Sequence, residues 1–269
     1  MPEIATLHEK VASLHTVYMP LTTKTRDAIH NYLIGELTRY IEENAATRRA
    51  VDGKPFHTRL LPALFKIQLS ERSFSTRSGS WWQKISLLIG QQYHLQAQLQ
   101  HRIEGRIKPA ASQHIDEIIR QLNIAGRRTP NRKNDIREVC TVQSAGGDTL
   151  DVCADLYILT HEHEEMYFEI KTPQPNKDTS MAMKKFILRV AALRDGGPAE
   201  AYGATAYNPY GDESPYTWNY AKQFLEIGED LLIGRAFWRK IGDDRTYDEL
   251  LEISETVGKQ IALQMVVKD

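Results

Sequence analysis

The chain reads as an α/β protein, with a central mixed β-sheet flanked by helices and an additional helical region at the N-terminus. Two observations lead there. Apolar residues in the first half recur at helical spacing, and from Ile136 the period changes to the two-residue alternation of strands. The second half then runs strand, hairpin, helix, strand, an order that places helices on both faces of a sheet. The predicted organisation is a mainly helical region over 1–125 that also contributes to the core, and a second region over 126–269. Together they form one compact domain, with no repeat and no low-complexity segment.

Thr23 to about Glu43 carries Ala28, Ile29, Tyr32, Leu33, Leu37, Tyr40 and Ile41 at helical period. A loop with Gly53 and Pro55 follows, and Leu60–Leu69 is apolar but too short to assign. Ser78 and Ser80 are caps for a helix from Trp81 to about Glu104, with Trp82, Ile85, Leu88, Ile89 and Tyr93 on one face. A further helix spans about Ser112–Ile124 and ends at Gly126. Val139–Val142 reads as a strand, and Cys153–Leu159 with Met166–Thr172 as a hairpin turning about Glu162–His163. Asp178 caps a helix to about Arg194, which the Gly-Gly-Pro at 196–198 breaks. Ala199–Tyr207 is a strand followed by an Asn208–Pro209 turn. The chain closes with short helices, polar loops and an apolar helix or strand at Thr256–Val267.

Bulk numbers narrow the classes. A hydrophobic content of 41% and a charged content of 26% are those of an ordinary globular protein. No apolar run approaches the roughly 20 residues of a membrane helix, and MPEIATLHEK has no signal-peptide core, so the expected setting is cytoplasmic. Cys140 and Cys153 are expected to be buried, reduced thiols. A net charge of −1 argues against a protein that coats nucleic acid with its whole surface. It leaves room for a local basic cleft, because Arg127, Arg128, Arg132, Lys133 and Arg137 cluster, as do Lys177, Lys184, Lys185 and Arg189.

The chemistry concentrates in the hairpin. Residues i and i+2 of a strand share a face, so Glu169 and Lys171 point the same way, and folding the hairpin sets Asp155 opposite them. Two carboxylates and an ammonium then share a small volume. Phosphodiester hydrolysis needs the phosphate charge offset, a water activated and the leaving oxygen stabilised, and a hard cation such as Mg²⁺ serves all three. Asp155 and Glu169 would be its ligands, with the backbone carbonyl of Ile170 as a third. Lys171 would orient or deprotonate the water, or neutralise charge on the phosphate. Asp151 is the other upstream carboxylate, but it precedes the strand proper and Asp155 is preferred. Leu156, Ile158, Phe168 and Ile170 would anchor the strands in the core. Pro173 and Pro175 end the ladder just beyond Lys171. Backbone N–H groups and Lys177 at the following helix start would meet phosphate. A second acid-x-Lys triplet, Asp52-Gly53-Lys54, lies in a turn without strand pattern and reads as a surface loop.

Other candidates read more plainly. His161 and His163 in THEHEE lack the further ligands of a closed zinc site and belong to a solvated turn. RRTPNRKNDIR at 127–137 has donors for phosphates or guanine edges. Tyr202, Tyr207, Tyr210, Tyr216, Trp218 and Tyr220 read as loop and core packing. Trp81 and Trp82 read as core or dimer-interface anchors.

At Asp155 and Glu169-Ile170-Lys171 the chain resembles the PD-(D/E)XK nuclease superfamily. More narrowly, it looks like the TdeIII-type family of type II restriction endonucleases. The resemblance lies in YFEIKTPQPNKD at 167–178, AYNPYGDESPYTW at 206–218, GEDLLIGRAFW at 228–238, IGDDRTYDELL at 241–251 and, earlier, RSFSTRSGSWWQKIS at 72–86. It implies a restriction-endonuclease-like core and Mg²⁺-dependent double-strand cleavage, with Mn²⁺ as a substitute. It also implies a homodimer and a short palindromic, GGNCC-like site. Arg127, Arg128, Arg132, Lys133, Asn176, Lys177 and Lys184 would then contact DNA, with region 1–125 supplying dimerisation and DNA-flanking surface. The chain departs from the superfamily where many members carry an acid on the helix before the core strands. Gln83 stands nearest that place, a neutral carbonyl ligand at best, which puts a second metal site in doubt. Two other readings share these residues: a structure-specific repair or recombination nuclease, and an inactive DNA-binding protein of nuclease-like fold.

Overall fold

The structure, a computed structural model, describes residues 19–44, 71–143, 145–195, 197 and 199–266. The Asp52-Gly53-Lys54 triplet and the stretch Leu60–Leu69 lie outside them. In chain order the elements are α1 (Thr23–Asn44), α2 (Glu71–Tyr93), β1 (Gln96–Ile107), α3 (Pro109–Leu122), α4 (Arg132–Thr141), β2 (Asp148–Leu159), β3 (Glu165–Lys171), α5 (Lys177–Leu193), β4 (Ala199–Thr205), α6 (Asn219–Phe224), β5 (Leu231–Ile233), α7 (Arg235–Ile241) and α8 (Thr246–Val266).

The strands form one mixed sheet in the order β1-β2-β3-β4-β5. The first two pairings are antiparallel and the last two parallel. Parallel neighbours need a crossover, and α5 supplies it between β3 and β4. Two apolar cores cover the two faces. One joins α1, α2, α7 and α8 to Leu156, Ile158, Met166, Phe168, Ile170 and Ala204. The other joins α3, α4, α5 and α6 to Val152, Ala154, Tyr157, Tyr167 and Ala201. The expected α/β layering is therefore the observed one. Trp81 and Trp82 are core residues, Trp82 meeting Tyr207 and Trp238 edge to face.

Local chemistry sets several ends. Asn176 caps α5 through Thr179 N at 2.8 Å, two residues before the expected Asp178, which sits in the first turn where it favours the helix dipole. Asn131 caps α4 in the same way. Four sequence expectations fail here. Ser78 and Ser80 do not cap a helix at Trp81 but lie inside α2, which begins at Glu71. The helix foreseen to about Glu104 stops at Tyr93, and residues 96–107 form the edge strand β1. Val139 and Cys140 belong to helix α4 rather than to a strand. Cys153 is exposed, because it faces away from Val152 and Ala154, which fill the core, while Cys140 is half-buried and both thiols are free.

Candidate active site

The site forms where two strands part. β2 and β3 pair from Leu159–Glu165 down to Leu156–Phe168 and then stop, although both continue. Below that point β2 stays with β1, and β3 runs on beside β4 as far as Lys171–Thr205. Asp155 and Glu169 would be the next pair in the ladder. Instead, the Asp155 carboxylate fills the fork. Its Oδ2 accepts from the backbone N–H of Ile170 at 2.9 Å and from Lys171 Nζ at 3.0 Å. Lys171 Nζ also meets Glu169 Oε1 at 3.1 Å. The three residues predicted to share a volume therefore do so. Leu156, Ile158, Phe168 and Ile170, the predicted anchors, are all in one core.

A second irregularity lies opposite Asp155. In β1, Ala97 and Leu99 pack against the α1–α2 core, yet Ile103 and Ile107 belong to the α3–α5 core. In β2, Leu156 and Ile158 belong to the first core and Val152 and Ala154 to the second. A regular strand keeps residues of one parity on one face. Both strands thus reverse their alternation at the same level. The register survives, since Leu99 pairs with Leu156 and His101 with Ala154, and Gln100–Asp155 is the position missing between them. Gln100 takes a φ of 51° there, a region that non-glycine residues seldom occupy. Its Nε2 donates to Asp155 Oδ1 at 3.3 Å, and its Oε1 accepts weakly from the Cys153 thiol at 3.6 Å. No spacing in the sequence marks Gln100, whose partner is 55 residues away.

The charges are shielded from water: the side chains of Asp155, Glu169 and Lys171 are 14%, 19% and 31% exposed. Burial raises the Glu169 pKa, Lys171 opposes that rise, and Asp155 adds to it. For Lys171 burial acts to lower the pKa, but Asp155 and Glu169 outweigh it and the ammonium form is favoured. Two carboxylates held against one cation leave the cluster with a net negative charge. Among the described residues no three His, Cys, Asp or Glu side chains gather as metal donors. The donors that converge are two carboxylates, a hard oxygen set of the kind that holds Mg²⁺ with retained waters. The donor chemistry therefore fits a divalent cation.

The segment leaving the site is fastened from outside. Tyr216 Oη donates to the Pro173 carbonyl at 2.8 Å and Trp218 Nε1 to that of Pro175 at 2.6 Å. Two of the aromatics of 202–220 are thus clamps on the strand end, a role more specific than general packing.

The remaining predicted residues divide. Arg127, Lys133, Asn176 and Lys177 are exposed, with Asn176 engaged as the α5 cap. Lys184 is not a DNA contact: its side chain is 0% exposed, with Nζ at 2.7 Å from Asp135 and 2.6 Å from Asp230. Arg128 is turned inward on Asp135 and Glu138. Arg132 donates to the Ala201 carbonyl at 2.8 Å and lies over the Tyr202 ring. Spacing alone groups these three cations with the exposed ones, but the buried acids Asp135 and Asp230 claim them, seven residues on for Arg128 and 98 and 46 residues on for Arg132 and Lys184. Lys185 pairs with Asp116 of α3. Gln83 is half-buried on α2, and among the described residues no hydrogen bond joins its side chain to the hairpin carboxylates. His161 and His163 lie among the exposed turn residues 161–164, where His163 has a φ of 63°.

Comparison with known proteins bears on this site. A family profile described as type II restriction endonuclease, HinfI, matches residues 21–258. The type II restriction enzymes HgiEI and HgiCII of Herpetosiphon aurantiacus are each 31% identical to the chain, over 257 and 261 residues. These matches cover 89% of this chain and 94% and 96% of the two enzymes. HgiBI of the same organism is 30% identical over 257 residues. No solved structure matches. With the family matched over most of its length, the chain belongs to the HinfI-type type II restriction endonucleases, site-specific deoxyribonucleases acting on DNA.

Proposed function

We propose that the protein cleaves both strands of duplex DNA at a short palindromic site by Mg²⁺-assisted hydrolysis, with Asp155, Glu169 and Lys171 as the working residues. The observation that carries the reading is the convergence of two carboxylates on one ammonium at the β2–β3 fork. Asp155 and Glu169 would hold the cation, with the Ile170 carbonyl as a third ligand and Gln83 at most a contact to its water. When bound, Mg²⁺ supplies charge neutralisation on the phosphate and acidifies water. Lys171 would orient or deprotonate the attacking water, or neutralise charge on the phosphate. Arg127, Lys133 and Lys177 would contact the backbone, and Asn176 would present the start of α5 to it.

The finer assignments belong to the same proposal: a TdeIII-type affinity, a GGNCC-like target, a homodimer, a cytoplasmic setting, and regions 1–125 and 126–269 as flanking and catalytic parts. They rest on the sequence segments at 167–178 and 206–218 and on the two-fold symmetry of a palindrome. The test is digestion of a long unmethylated DNA of known sequence with Mg²⁺ and with EDTA. Discrete fragments with Mg²⁺ alone support the reading, and their ends give the site and stagger. The Lys171→Ala variant is expected to bind that DNA normally and cut it at least a hundredfold more slowly, on the scale of losing one electrostatic stabiliser. Cleavage by Lys171→Ala at the rate of the unchanged enzyme would refute the role given to Lys171.

A further inference from the structure

We propose that Gln100 is a positioning residue for the reaction, holding Asp155 in the orientation that receives the cation; the inference rests on the reading of Asp155 as a ligand. Three observations meet at this residue. Gln100 has a left-handed backbone in the middle of a twelve-residue strand. It faces Asp155 at the position missing from an otherwise continuous register. Its amide donates to Asp155 Oδ1, the oxygen that Lys171 and Ile170 leave free.

A left-handed conformation strains a non-glycine residue, and glycine would adopt it freely. Backbone geometry alone therefore favours glycine here, and the glutamine side chain has to be explained by what it touches. With both carboxylate oxygens engaged, Asp155 loses its freedom to rotate. The amide is neutral, so it orients the carboxylate without competing for the cation's charge. The paired reversal of β1 and β2 is what puts the amide there. With regular alternation Gln100 would sit in the ladder opposite Asp155. With the reversal both residues leave the ladder and their side chains meet. The Asp155 carboxylate can only accept, so the Nε2 end of the amide faces it and Oε1 is left towards the Cys153 thiol.

Gln100→Gly separates this role from a structural one, because it relieves the backbone while deleting the amide. We expect a melting temperature equal to or above that of the unchanged protein. We expect the Mg²⁺ concentration for half-maximal cleavage to rise about ten- to a hundredfold, the usual loss when a group orienting a ligand is removed. Raising Mg²⁺ should recover the rate, and the KM for DNA should stay unchanged. Direct Mn²⁺ binding, followed by the loss of free-ion electron paramagnetic resonance signal with DNA present, should weaken by the same factor. Asp155→Ala is the control. If it abolishes Mn²⁺ binding and Gln100→Gly leaves it unaltered, this inference is wrong and the catalytic reading stands. If Asp155→Ala binds Mn²⁺ normally, the reading of Asp155 as a ligand fails, and this inference with it.

Discussion

Burial disfavours the ionised form of Glu169, a penalty that protonation removes and a bound cation would offset. Burial raises its pKa above the usual 4.5, so the folded, metal-free protein holds the proton more tightly than the unfolded chain. The sign follows from linkage: the contribution of the protonated group is fully present below the ordinary glutamate pKa and is lost as pH rises through the raised one. Lys171 is raised as well, but its contribution persists until pH exceeds an ordinary lysine value, so it is constant near neutrality. Glu169→Gln, measured by urea unfolding in EDTA, should therefore gain stability relative to the unchanged protein as pH rises from the carboxylate range towards neutrality. With Mg²⁺ the order should reverse, because the cation binds the ionised glutamate and not the amide. Parallel stability curves in EDTA would show that burial does not disfavour the charge. The same residue illustrates what could be read from the chain. Glu169, Lys171 and Asp155 were legible because a two-residue period and one tight turn fix their mutual placement. Gln100 was not, because its meeting with Asp155 depends on a reversal of alternation in two strands that joins sites 55 positions apart.

At the scale of elements, the ion network around Lys184 locks α4, α5 and the turn before β5 together. Its ammonium binds Asp135 of α4 and Asp230 ahead of β5, all three side chains being 0% exposed. Lys184→Met would leave Asp135 with Arg128 and Asp230 with Arg132 as their remaining charged partners, and should cost up to about 3–5 kcal/mol in urea unfolding, the range for breaking a buried pair. DNA affinity of the folded variant, and its salt dependence, should be unchanged. Lys177→Ala should do the opposite, leaving stability within about 0.5 kcal/mol and lowering the salt slope of DNA binding by roughly one. Equal salt slopes in all three proteins would count against a phosphate contact at Lys177. The network also shows why some elements resisted sequence reading. In α4, Asn131 as cap and Asp135 as a buried acid look like loop residues until their partners are known. In β1, QAQLQHRIEGRI alternates with period two, a strand pattern, but Gln, Ala, Leu, Arg and Glu favour helix and only Ile103 and Ile107 are buried, so the helical reading of α2 overruns it. Its strand character comes from β2, some fifty residues on, and no local propensity announces it.

For the whole molecule, the proposal of a palindromic target sets a count of active sites. One chain brings together a single Asp155, Glu169 and Lys171 cluster. A palindrome presents two equivalent phosphodiesters related by a two-fold axis, so a two-fold dimer sets one cluster on each strand. A mixed dimer shows whether the two clusters act independently. Differently tagged unchanged and Lys171→Ala subunits, refolded together and purified through both tags, would carry one intact cluster per complex. Bound to a supercoiled plasmid with one site, such a dimer should cut a single strand and accumulate nicked circles. The unchanged dimer should produce linear DNA. Sedimentation of the protein on the target duplex should report two chains per site. Linearisation by the mixed species at about half the normal rate, without a nicked intermediate, would mean that one cluster serves both strands, and the two-fold arrangement would have to be abandoned.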